Sequence, residues 1–289
     1  KKCLMLTHAK LFAAPDEGRT LSRPWVKNPS VVTASGIWMD LTFFGRYPAA
    51  NYFTDGTPLA AKALRRSTDG GLDHGEDKGE GYKKFLQGLT VLSTTAAAAM
   101  PLKAMDYLLY YPLIPMEDTQ EMDNTVTLPR YEDGKGVQIM LLEQFPYIGG
   151  GTVQVTYTNS DGVAGRQTAV TTINTQTALG TIAHSGPATS GLSGLFMPLQ
   201  RGDGGVRSIE SITFPVADSG NLAAVLVKPL MPIGNYEVTN PSEWNGFEHL
   251  GMLEQIIDDA YLSLVCQPIG SLNGAIIEGQ IRTLWVQED

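Results

Sequence analysis

The sequence predicts an all-β protein: a β-sandwich or jelly-roll-like body with an irregular N-terminal arm and one or two short helices. Three observations lead there. Only 18% of the residues are charged, while glycine (31) and proline (17) are plentiful, a balance that suits strands and turns better than helices. The stretch TVQVTYT alternates strictly: Val153, Val155 and Tyr157 point one way, and Thr152, Gln154, Thr156 and Thr158 the other. Similar short runs recur toward the C-terminus, divided by Gly, Asn and Pro turns.

Taken in order, residues 1–56 have little periodicity. Prolines recur every few residues there and prevent long helices and central strands. The segment is rich in rings: Trp25, Trp38, Phe43, Phe44, Tyr47, Tyr52 and Phe53. These seven are the candidate interaction residues, because an extended arm would seat them on a neighbour. The alternative is that they pack on the body of this chain. The string TPLAAKALRR predicts a short helix, with Thr57 as N-cap, Pro58 at the first helical position and Arg65 and Arg66 at the end. Residues 67–82 are polar and Gly-rich and read as a mobile surface loop. Their acidic residues echo a calcium loop only faintly, since Gly71 and His74 stand where a ligand and a glycine belong. Phe85, Leu86, Leu89 and Leu92 have helical spacing and predict a turn or two of helix, followed by a strand near DYLLYYPL.

From GVQIMLLEQF onward the strand signals are regular. The segment 152–173 reads as a hairpin turned by NSDGVAG. GVRSIESITFPV, LAAVLVKPL, AYLSLVCQPI and GAIIEGQIRTLWV follow as strands, with Ile277, Ile281 and Trp285 sharing a face with Gly279 and Thr283. FEHLGMLEQIIDD, 247–259, is the one helix-like interruption. The natural division is an N-terminal region at 1–100 and a β-sandwich domain at 101–289.

The chain carries a net charge of −9, split as +4 over residues 1–100 and −13 over 101–289. An acidic body argues against direct nucleic-acid binding, which needs clustered Lys and Arg. A basic leading third could instead steer contact with an acidic protein surface. Two cysteines make no disulfide framework, and Cys266 in its apolar run reads as a buried thiol. The opening KKCLMLTHAKLF is interrupted by His8 and Lys10 and does not read as a signal peptide. No stretch is long enough for an apolar membrane-spanning helix, so a soluble protein is expected.

Chemistry is hard to find in the letters. His8, His74, His184 and His249 form no metal-ligand spacing and read as surface or capping histidines. There is no P-loop and no nucleophile elbow. The pairs Glu117/Asp118, Glu132/Asp133 and Asp258/Asp259 read as solvated loop charge, and the tripeptide Arg201–Asp203 as a turn. Both Asn28 and Asn240, the potential glycan acceptors, are followed by proline. The expectation is a protein with no catalytic residue, no cofactor and no metal.

The strings TYTNSDGVAGR (156–166), HSGPATSGLSGLFMPLQRGDGGVRSIESITF (184–214) and VLVKPL (225–230) resemble a group of tailed-bacteriophage virion structural proteins. The similarity covers roughly residues 100–289. It implies a capsid-associated decoration or minor head protein, assembled in the host cytoplasm and carried on the virion. The implied partners are the major capsid protein and copies of the chain itself, as a homo-oligomer. Two other expectations stand beside it: a receptor- or glycan-binding β-sandwich using an exposed ring such as Trp244, and, last, a glycan hydrolase on a β scaffold.

Overall fold

The structure is a computed structural model and describes residues 13–94, 100–186, 191–235, 242–245 and 253–287. It is all-β, with antiparallel sheets in a sandwich-like body. In chain order the strands are β1 (Thr20–Lys27), β2 (Met39–Asp40), β3 (Arg46–Tyr47), β4 (Lys62–Ala63), β5 (Tyr82–Ser93), β6 (Met100–Pro115), β7 (Thr119–Glu121), β8 (Gln138–Phe145) and β9 (Thr152–Asn159). Then come β10 (Arg166–Gln167), β11 (Thr171–Thr172), β12 (Val206–Val216), β13 (Asn221–Asn235), β14 (Ser242–Asn245), β15 (Glu254–Ile256), β16 (Tyr261–Cys266) and β17 (Ile277–Gln287). A single helical turn, α1, covers Arg66–Asp69, and a 3-10 turn covers Leu41–Phe43.

Among the described residues the strands form three sheets. The first has the order β14-β5-β17-β1-β3 with β15 also on β5; the second is β2-β16-β6-β13-β8 with β4 on β6; the third is β10-β9-β12-β7 with β11 on β9. The first sheet draws strands from both sides of residue 100. β1 lies beside β17 with Thr20 opposite Leu284, and β5 lies on the other side of β17 with Tyr82 opposite Gln287. Gly279 is required where these three strands meet: a Cβ there would sit 1.8 Å from the Thr90 carbonyl oxygen and 3.0 Å from the Trp25 ring.

The second sheet is the centre of the molecule. Its long strands β6 and β13 pair from Pro115–Asn221 to Met100–Asn235, with three register shifts. The first shift spans Pro112 and the third lies beside Pro229, where a missing N–H would otherwise interrupt the ladder. One face of β6 serves two cores. Leu102 and Ala104 join Leu86, Leu89, Val91 and Ile281 of the first sheet. Leu109 and Tyr111 join Val153, Val155, Tyr157, Ile209 and Ile212 of the third. The opposite face carries Met105, Tyr107 and Tyr110, and is covered by Trp38, Phe43, Phe53 and Leu64 from the leading segment together with Ile182 and Leu195. Burial on both faces explains why DYLLYYPL is continuously apolar rather than alternating.

Three helical expectations are corrected. In 57–66 the backbone is engaged by other strands: Leu59 N–H donates to the Pro112 carbonyl (3.0 Å) and Ala61 N–H to that of Asp123 (2.8 Å). Leu59 is left-handed at φ 65°, so no helix passes through it, and α1 starts only at Arg66. The 83–93 segment is strand β5, because its ladder to β17 outweighs its weak helical spacing. Of the expected helix at 247–259, residues 247–252 lie outside the described residues and Glu254–Ile256 is strand β15, paired to Leu86–Lys84. The other strand expectations agree with the structure, and the hairpin forms with Arg166 opposite Tyr157, except that its returning arm is broken into β10 and β11 with residues 168–170 outside either strand.

Candidate functional site

The seven leading-segment rings divide sharply. Trp25, Trp38, Phe43, Phe44 and Phe53 are buried. Phe53 packs on Tyr107 and Tyr110 with ring centroids 6.0 and 5.2 Å apart, and on Phe43 at 5.6 Å. This corrects the reading of these five as rings for a partner. The double-sided second sheet needs a cover, and residues 38–64 supply it, so the described part of the leading segment is a layer of the body. Tyr47 (46% exposed) and Tyr52 (49%) are the two that stay at the surface. Trp244, expected in a loop, sits in β14 opposite Leu89.

The apolar surface gathers elsewhere, where the β8–β9 loop meets the end of β12. Phe145 (49% exposed), Ile148 (77%) and Val216 (54%) stand exposed on the segments that meet there. Val216 lies opposite Thr152 at the start of β9, and Phe145 opposite Asn221 at the start of β13. Tyr52 is tied to the same end, since Gln144 Nε2 donates to its carbonyl oxygen (3.0 Å). The loop is pinned: Asp218 accepts from Ile148 N–H at 2.9 Å and from Gly149 N–H at 2.6 Å. Gly149 is obligatory, with φ 88° and a would-be Cβ only 2.5 Å from the Asn174 carbonyl oxygen. Isolated exposed apolar residues need no explanation, but several on adjoining segments around a fixed loop mark a candidate contact surface. Reading the sequence did not single these out. Phe145 closes an ordinary strand, and Ile148 is a lone apolar residue before three glycines.

Beneath this end lies Glu143, fully buried, with neither carboxylate oxygen hydrogen-bonded. Burial raises its pKa to about 8. Beside it Tyr147 donates to Asn174 Oδ1 at 3.1 Å, and its hydroxyl is pushed far above the usual range by burial first and the Glu143 charge second.

Two expectations about histidine are corrected. His184 is buried, its Nδ1 2.6 Å from Ser193 Oγ and its Nε2 without a partner, and burial lowers its pKa to about 3. A base so weak is ill suited to activating the serine. His74 is buried as well, which makes part of the 67–82 segment an inward-facing element; its Nε2 lies 2.9 Å from the Ala260 carbonyl oxygen and its Nδ1 3.1 Å from Lys84 Nζ. His8 and His249 lie outside the described residues, as does Cys3, while Cys266 is buried as expected. Among the described residues, no group of three or more His, Cys, Asp or Glu is placed to hold a metal ion. No helix there is long and apolar enough to cross a membrane.

The Arg201–Asp203 tripeptide is the expected turn, and its carboxylate is committed internally. Asp203 accepts from Tyr157 Oη (2.6 Å), from Asn159 Nδ2 (2.8 Å) and from both Nε and Nη2 of Arg166 (3.0 Å each). These bonds, led by Arg166, hold its pKa down at about 2.

No family model matches this chain, and no curated protein matches it. Among solved structures, the structure of infectious bursal disease virus Gt strain aligns over 93% of this chain and 81% of that chain, at 9% identity and a TM-score of 0.20.

Proposed function

We propose that this chain is a non-enzymatic structural protein of a virion, of the capsid-associated decoration or minor head type. It docks through the apolar end formed by Phe145, Ile148 and Val216. The partners on this reading are the main shell protein and further copies of the chain, with no nucleic acid, membrane or cofactor in the contact. The observation that carries it is the fixed apolar loop: a rigid all-β body that holds Ile148 outward on two Asp218 hydrogen bonds is built to be packed against. The resemblance of residues 156–166, 184–214 and 225–230 to tailed-phage virion proteins supplies the particle. Contacts of modest strength, repeated by symmetry, give large total binding.

The test is to band particles from the source lysate on a density gradient and quantify this chain by mass spectrometry against the shell protein. Copies in near-stoichiometric number are expected; absence from the particles overturns the proposal. Phe145→Ser with Ile148→Ser should then weaken binding of the purified chain to stripped particles tenfold or more, without lowering its melting temperature.

A receptor- or glycan-binding role is a second reading, favoured by the half-exposed rings of Tyr47 and Tyr52. It requires chemical-shift changes at these tyrosines on glycan titration; no change across a broad panel removes it.

A further inference from the structure

The turn between β16 and β17 leaves one asparagine chemically unguarded. An asparagine is protected where its carboxamide is held by hydrogen bonds or where the next backbone N–H is engaged. Elsewhere in this molecule the carboxamides are held. Oδ1 of Asn51 accepts from Phe53 N–H (2.9 Å), that of Asn124 from Tyr111 Oη (2.7 Å), and that of Asn174 from Tyr147 Oη (3.1 Å) and Gln176 N–H (2.8 Å). Asn28 is followed by proline, which has no N–H to offer. Asn273 is followed by Gly274, and both are exposed. Residues 272–275 form a β-turn closed by the Ala275 N–H to Leu272 carbonyl hydrogen bond (2.9 Å), with Gly274 third in the turn at φ 76°. The stem is anchored: Leu272 N–H donates to Thr33 Oγ1 (3.1 Å) and Asn273 N–H to Ser271 Oγ (3.2 Å). The tip is not. Among the described residues, neither the Asn273 carboxamide, nor its carbonyl oxygen, nor the Gly274 N–H makes a hydrogen bond. The peptide group joining the two residues is therefore free to turn, and glycine tolerates either sign of φ while it does so. No atom lies within 4 Å of where a Cβ on Gly274 would stand, so the space beside the attacking nitrogen is open.

We propose that Asn273 deamidates in the folded protein, which makes the tip of the β16–β17 turn a site of spontaneous covalent modification. The Gly274 amide nitrogen gives up its proton to hydroxide and attacks Cγ of Asn273. The N–Cγ bond forms, the Cγ–Nδ2 bond breaks, and Nδ2 takes a proton from water and leaves as ammonia. The product is a succinimide ring. Water then opens it in one of two ways. Addition at Cγ breaks the new N–Cγ bond and gives aspartate. Addition at the backbone carbonyl carbon breaks the original peptide C–N bond and gives isoaspartate, with the chain running through Cβ and Cγ. The balance is carboxamide plus water giving carboxylate plus ammonium, and solvent is the one co-reactant. Because attacking and attacked atoms belong to adjacent residues, the step is intramolecular, and its rate depends on how freely the turn reaches the cyclic geometry. The modification adds a negative charge to a chain that already carries −9. In isoaspartate it also inserts a methylene into the backbone between Leu272 and Ala275, both of which are buried in the core of the first sheet. The proposal is independent of the virion reading, since it concerns one chain in isolation.

The test incubates the purified full-length chain at mildly alkaline pH, folded and in urea, and maps it at intervals by mass spectrometry after digestion with a glutamate-specific protease. The peptide Gln255–Glu278 contains Asn273 and no other asparagine, while Asn245, which also precedes a glycine, falls in the separate peptide Trp244–Glu248. The expected result is steady conversion of Gln255–Glu278 to its acid form, resolved into two species of equal mass, of which isoaspartyl methyltransferase labels one. Conversion in the folded chain should run within tenfold of the rate in urea. Asn273→Gln should leave that peptide unconverted over the same period while circular dichroism shows a folded β protein. A folded chain that keeps the amide while the urea-unfolded chain loses it overturns the proposal, because the turn then protects its asparagine. Conversion of the peptide that persists in Asn273→Gln places the chemistry at another residue and overturns it too.

Discussion

Single residues set how this protein answers to pH. Glu143 is protonated in the fold up to about pH 8, whereas in the unfolded chain it ionises in the ordinary carboxylate range. The unfolded state therefore binds fewer protons between these values, and stability falls as pH rises from about 4.5 to 8. His184 and His74 act oppositely. Their folded pKa values are depressed to about 3 and about 4, so their contribution is complete above pH 6.5 and is lost as pH falls toward 3. Asp40 and Asp106, each raised to about 6 mainly by burial, are largely ionised by pH 6.5. Between pH 6.5 and 8 Glu143 dominates the slope, at about 1.5 kcal/mol over the interval, and Lys27, which burial lowers to about 8, opposes it weakly at the upper end. Urea unfolding at pH 6.5 and 8 should show that loss in the wild type and none in Glu143→Gln. An equal slope in the variant would assign it to another group. Nothing in the sequence marked Glu143, because an ordinary glutamate in a strand reads as solvent-facing until the covering layer is known.

At the scale of elements, most strands were legible and most of their partners were not. The alternation of TVQVTYT fixes which side chains of β9 are buried, since either hairpin partner preserves the two-residue period. The same logic failed for β5, whose apolar residues fit a helix nearly as well as a strand. Its ladder to β17 decides the matter, and β17 lies far away in sequence. The β8–β9 loop is held by Asp218 across a long sequence separation. Asp218→Ala removes both hydrogen bonds and should cost about 1–2 kcal/mol. Hydrogen exchange at the Ile148 and Gly149 amides should rise at least tenfold, with β13 amides unchanged. A uniform rise would mean that the whole fold had been weakened. On the proposed docking role, this variant should also bind particles less tightly.

At the scale of the molecule, two features tie the sheets together. Arg130 reaches from the β7–β8 connection to Asp106 in β6 with two hydrogen bonds, Nε–Oδ2 at 2.8 Å and Nη2–Oδ1 at 2.6 Å, and also donates to the Leu64 and Tyr107 carbonyls. Both side chains are buried. Arg130→Met leaves Asp106 uncompensated and should cost about 3–5 kcal/mol, while Arg130→Met with Asp106→Leu should regain much of the loss. Thermal unfolding of the three variants measures this. The second feature is the aromatic cover. Phe53→Ala opens a cavity against Tyr107 and Tyr110 and should cost about 3–5 kcal/mol. If residues 38–64 were a detachable arm, that substitution would leave the melting temperature unchanged.

By itself the sequence determined the all-β class, the hairpin at 152–173, most of the strands after residue 125, the buried Cys266 and the turn at Arg201–Asp203. Each is written in local signals: a period of two, Gly and Asn at turns, an unbroken apolar run. Only the tertiary structure decided which sheet each strand joins, that five aromatic residues of the leading segment are buried in the body, that His74 and Lys84 are buried beside each other, and that Phe145, Ile148 and Val216 lie at one end. Those facts depend on contacts between residues tens to hundreds of positions apart. Local pattern records which side of a strand is apolar, and it carries no record of what packs against that side.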